Sequence, residues 1–130
     1  MLGRILLVAS LAVGISSAAD AVAAGKYAGK WEGSSASGEF RMTLTSAPEG
    51  KWSADIVFTL QGQAVKCTVT SLTVAGSKLK AVYSFELQGY DLESTIEGEL
   101  TGDKLGGKYT THAGDGTQVD EGTWQTTASS

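Results

Sequence analysis

One cysteine, one proline and one histidine among 130 residues close off several functions before any motif is sought. With Cys67 alone, an oxidising compartment has nothing to pair within the chain, so stability must come from packing and strand pairing. The lone His112 and scattered carboxylates lack the i, i+4 and C-x-x-C spacings of metal sites. Asp115, Asp120 and Glu121 could offer oxygen atoms to Ca²⁺, but the D-x-D-x-D-G loop pattern is missing. A Ser/His/Asp hydrolase built on His112 would need an oriented nucleophile, and there is no G-x-S-x-G elbow. We therefore expect no catalysis, no metal and no cofactor. The net charge of −4 and the absence of a basic strip interleaved with aromatics exclude nucleic acid as an expected partner.

Long apolar runs are scarce as well. The one near the start, Ile5 to Ile15, is too short to span a bilayer and follows a basic Met1-to-Arg4 opening. Small residues come next, ending Ala21-Val22-Ala23-Ala24. This is the pattern of a secretory signal peptide over residues 1–24, cut after Ala23 or Ala24. No cysteine near the cut suggests a lipoprotein. The expected product is one domain, residues 25–130, exported to the periplasm or secreted, with no transmembrane segment.

What is abundant is glycine, 17 residues, placed as turns between alternating apolar and polar runs. Two-residue turns are read at Gly62-Gln63, Gly76-Ser77, Gln88-Gly89 and Gly102-Asp103. Strands are expected at Ala28–Ser34, Glu39–Thr45, Lys51–Leu60, Gln63–Val74, Lys78–Leu87, Tyr90–Leu100, Lys104–Thr111 and Gln118–Thr127. Ser34–Gly38 and Thr111–Thr117 read as looser loops.

Turn positions fix registers. The Gln88-Gly89 tip sets Phe85 opposite Leu92, Tyr83 opposite Ser94 and Ala81 opposite Ile96, and pairs Lys80 with Glu97 on the other face. The Gly102-Asp103 tip sets Gly98 opposite Gly107 and Ile96 opposite Tyr109, with Lys108 also facing Glu97. The acidic series Asp91, Glu93, Glu97 and Glu99 therefore reads as a solvated face. The Gly62-Gln63 tip pairs Leu60 with Val65, Phe58 with Cys67 and Ile56 with Val69. Inward parity then changes along the shared strand from Cys67 and Val69 to Leu72 and Val74, which demands a β-bulge near Thr70-Ser71.

Consecutive hairpins make an all-β antiparallel meander. About eight strands close it into an up-and-down barrel, with the Trp31 strand against the Trp124 strand; a β-sandwich is the alternative fold. Gly29-Lys30-Trp31-Glu32-Gly33 and the later Gly122-Thr123-Trp124 resemble the G-x-W opening and repeated short strands of calycin-type barrels: lipocalins, fatty-acid-binding proteins and avidins. The resemblance implies a small, often apolar ligand inside the barrel. A second lipocalin motif and avidin's later tryptophans are absent, so no avidin contact is carried over.

The candidate ligand-binding residues are Trp31, Phe58, Tyr83, Tyr109 and Trp124. The glycine row Gly98–Gly107 removes wall, and either opens a cavity or receives the Trp124 indole. Cys67, on an apolar face, reads as a small inert hydrophobe. The leading expectation is a noncatalytic extracytoplasmic barrel holding a small, partly apolar ligand in a cavity of a few hundred Å³. The alternative is a packed barrel with a protein partner, such as a secreted inhibitor or envelope accessory protein. It would act through its loops or an outward patch of Leu72, Val57 and Val82.

Overall fold

The computed structural model describes residues 21–129. The expected signal peptide lies almost wholly outside the described residues. Nine antiparallel strands form one nearly closed sheet: β1 (Gly25–Gly33), β2 (Ser37–Ala47), β3 (Lys51–Leu60), β4 (Gln63–Lys66), β5 (Thr68–Ala75), β6 (Lys78–Leu87), β7 (Tyr90–Thr101), β8 (Lys104–Ala113) and β9 (Gln118–Ala128). Their order is β4-β3-β2-β1-β9-β8-β7-β6-β5, an up-and-down barrel. The expected first-to-last closure is present, with Trp31 directly opposite Trp124. Among the described residues no helix is long and apolar enough to cross a membrane.

The expected strand Gln63–Val74 is divided at Cys67 into β4, which pairs with β3, and β5, which pairs with β6. One continuous stretch of chain thus supplies both edges of the sheet, and the Cys67 amide still donates to the Ile56 carbonyl at 3.2 Å. The bulge falls where parity requires it. Val69 faces Tyr83, Ser71 faces Val82, and Thr70 between them has no ladder partner. Its hydroxyl donates to the Val82 carbonyl instead.

Three of the four expected turns are present as read, and one is displaced. The β3–β4 turn is Gln61-Gly62, with φ of 54° and 80°, so Phe58 faces Val65 and Leu60 faces Gln63. A type I′ turn needs positive φ at both centres and places glycine second. Gln88-Gly89 follows the same pattern at 53° and 84°. The expected pairing of Phe58 with Cys67 is therefore corrected by two residues. An even shift leaves every side chain on its expected face.

The outward charges stand opposite each other as the registers demand, Lys80 and Lys108 flanking Glu97. They do not close into ion pairs. Among the described residues the ion pair is Arg41–Glu39, at 3.2 Å and largely exposed. Cross-strand charge here contributes little beyond solubility. Leu72 packs against the core, as the parity reading requires, and so drops out of the candidate outward patch.

Inside, the two ends of the barrel differ. One end, at the turns 48–50, 76–77 and 102–103, is filled by Leu44, Leu79, Leu100 and Leu105, all buried. Val22 joins this cluster from ahead of β1: it is 6 % exposed, and its amide donates to the Gly76 carbonyl at 2.8 Å. Ala23 is held through the Tyr27 hydroxyl, which donates to its carbonyl at 2.7 Å. The other end carries the loops 34–36 and 114–117 and the turns 61–62 and 88–89.

Slanting from the packed end at Leu79 to the open end at Gly38 runs the row Leu79–Gly98–Gly107–Trp124–Trp31–Gly38, each residue opposite the next. Trp124 extends over β8 to β7, its Nε1 between the carbonyls of Lys108 (3.2 Å) and Glu97 (3.3 Å). Trp31 extends the opposite way, over Gly38, and donates to the Thr59 carbonyl at 2.9 Å. A Cβ at Gly98 would stand 2.5 Å from Trp124 Cζ2. Gly98→Ala is expected to cost about 1–3 kcal/mol of stability in urea denaturation, by forcing this indole out of place. Gly114→Ala, with open space around it and ordinary φ, should change stability by less than about 0.5 kcal/mol.

Candidate functional site

Above the tryptophan row, towards the open end, the side chains stop meeting. They leave a half-open cavity of about 260 Å³. Trp31, Phe58, Tyr83, Tyr109 and Trp124, the five residues singled out from sequence, all line it. Of the two outcomes considered for the glycine row the structure has the second, and neither Gly98 nor Gly107 lines the hollow. Trp124 fills the space over Gly98 and Gly107, and a hollow remains above.

Strand alternation positions these groups. Phe58 on β3, Trp31 on β1 and Tyr109 on β8 meet edge to face, with centroids 6.0 and 6.2 Å from Trp31 and interplanar angles of 84° and 86°. Phe85 on β6 stacks edge-on to Phe58 at 5.0 Å. Such T-shaped contacts lock the rings beyond what area burial alone achieves. Phe40, Phe85 and Leu92 also line the cavity without having been singled out, although period-2 patterning already faced Phe85 and Leu92 inward.

The adjoining stretch of wall carries oxygen. Ser94 on β7 and Thr111 on β8 face one another, and their buried hydroxyls lie 2.6 Å apart. Tyr83 faces Ser94 from the other side. Burial pushes the Tyr83 phenol above its ordinary value, Cys67 adds to the rise, and the Ser94 hydroxyl opposes it. Burial likewise pushes the Cys67 thiol up to about 12, which leaves it protonated at neutral pH.

Asp120 closes this wall near the mouth. β9 has a bulge at Val119, and past it Asp120 faces Thr111. Its Oδ2 accepts from the Tyr109 hydroxyl at 2.7 Å. Its Oδ1 accepts from the Ser34 hydroxyl at 3.0 Å and the Ser34 amide at 3.4 Å. The carboxylate thus ties the β1–β2 loop to the barrel wall. Burial alone would raise its pKa; the donors Tyr109 and Ser34 outweigh it and hold it below the ordinary value. Tyr109 is pushed up, first by burial and then by this carboxylate. From sequence Asp120 was weighed only as an oxygen ligand, because loop closure across 86 residues leaves no local signal.

His112 stands opposite Glu93 and Gln118 at the root of the 114–117 loop. Among the described residues no group of three or more His, Cys, Asp and Glu side chains converges on a point that could hold a metal ion. No family model, curated protein or solved structure matches the chain.

Asp120 makes a pH prediction. A carboxyl with a lowered folded pKa stabilises above its unfolded pKa of about 4, and that contribution is lost as pH falls through the folded value. Asp120→Asn should cost about 1 kcal/mol at pH 7 in chemical denaturation. The difference from the parent protein should shrink as pH drops below about 4.

Proposed function

We propose that this protein is a noncatalytic, exported binding barrel that holds one small, partly apolar ligand in its open-ended cavity. The observation that carries the reading is the hollow itself. At about 260 Å³ it exceeds the ~150 Å³ apolar cavity that admits benzene, and it lies just under the usual range for small-molecule pockets. Its aromatic wall is fixed by edge-to-face contacts, so little ordering would be needed on binding. An antiparallel meander with Trp31 on its first strand is compatible with a calycin-like barrel, in which the interior is the binding site.

The alternative of a protein-interaction barrel draws on Tyr90 and Val119, large side chains 70 % and 52 % exposed and both near the open end. It requires no hollow, and the hollow is what the binding reading explains.

Native mass spectrometry of the protein purified from its own host tests the proposal. A noncovalent adduct that is lost on denaturation is the expected result. Leu92→Trp, which fills the cavity from the β7 wall, should abolish the adduct without altering the packed end. A bare chain that also takes up no apolar probe would overturn the reading.

A further inference from the structure

Two stretches of the cavity wall differ in chemistry, and the difference limits what fits. Trp31, Phe58 and Phe85 make an apolar arc, and beside it, starting at Tyr83 two residues from Phe85 on β6, the facing residues Tyr83, Ser94 and Thr111 carry hydroxyls. Three hydroxyls carry three hydrogens, and the Ser94–Thr111 contact uses one of them. Hydrogen is left to donate, in surroundings where an unmet donor costs about 1–3 kcal/mol. No lysine, arginine or histidine lines the cavity, and its one carboxylate is Asp120. An anion entering here would meet negative charge and no cation.

We propose, resting on the binding reading above, that the ligand is a neutral, single-ring aromatic molecule with one hydroxyl or carbonyl oxygen. Its ring lies against Trp31, Phe58 and Phe85, and its oxygen meets the Ser94–Thr111–Tyr83 hydroxyls. Carboxylate ligands such as fatty-acid anions are rejected.

Calorimetry on the full exported chain with three shape-matched probes decides this: p-cresol, p-xylene and 4-methylbenzoate at pH 7. We expect p-cresol to bind roughly ten-fold tighter than p-xylene, the worth of one buried hydrogen bond. The benzoate should show no binding. Ser94→Ala should erase the preference for cresol over p-xylene, and Thr111→Ser, which keeps its hydroxyl, should retain it. Equal or tighter binding of p-xylene or of the benzoate overturns the assigned class and leaves the cavity reading standing. Failure of all three probes to bind overturns the assigned class, and takes the cavity reading down with it only if native mass spectrometry also shows a bare chain.

A separate observation concerns the packed end. Cleavage after Ala23 or Ala24 would remove Val22, which is buried in the core and bonded to Gly76. A third small-x-small site, Ala19-Asp20-Ala21, precedes it, and Ala21 and Ala23 are exposed. We infer that the export peptidase hydrolyses the Ala21–Val22 bond. One water is consumed, a carboxylate is left on Ala21, and an ammonium is left on Val22 beside the Gly76 carbonyl. The intact mass of the exported protein should correspond to residues 22–130, and Val22→Asp should lower its melting temperature. A mass corresponding to any other N-terminus overturns the assignment.

Discussion

Two indoles can extend across the inside of a small barrel only where the strands beside them carry no side chain. Trp124 crosses Gly107 to reach the backbone of β7, and Trp31 crosses Gly38 to reach that of β3. The two residues face each other on β9 and β1 and diverge. Because each Nε1 finds a main-chain carbonyl, neither buries an unpaired donor. This crossing divides the interior. Below it Leu44, Leu79, Leu100 and Leu105 are buried at the end of the barrel; above it the rings line a half-open hollow. An open hollow and a solid core coexist in a domain of this size because the tryptophans separate them.

Much of this was legible in the sequence. Alternation and glycine turns fixed most of the registers, and the parity change between Val69 and Leu72 located the bulge at Thr70. The Gln61-Gly62 turn was misplaced because Gly-first and Gly-second turns differ only in whether the preceding residue accepts positive φ, and Gln61 does. Asymmetry between the ends was out of reach. It depends on Val22 folding back across the strand ends and on Asp120 reaching Ser34, and neither contact follows from a local pattern. The five aromatic residues that line the cavity were legible because aromatic inward positions are few. That they share a single hollow depends on how far each ring extends, which only tertiary packing decides.

Cross-strand charges tell a related story about what register does and does not determine. Lys80, Glu97 and Lys108 are aligned by backbone pairing, yet the flexible side chains remain separated in solvent. Position is dictated by the ladder; contact is left to entropy and water. The interior behaves the opposite way, since Ser94 and Thr111 are aligned by the same ladder and do meet, at 2.6 Å.

Both ends of the described chain leave the barrel on its packed side. Ser129 donates to the Lys26 carbonyl and Ala128 to that of Asp103, beside the point where Gly25 enters β1. Anything fused to either end is therefore carried at the base, with the mouth pointing away from it. A barrel immobilised by either terminus, on a bead, a sensor chip or a cell envelope, would present its opening to the medium, and its loops could be lengthened without disturbing the attachment.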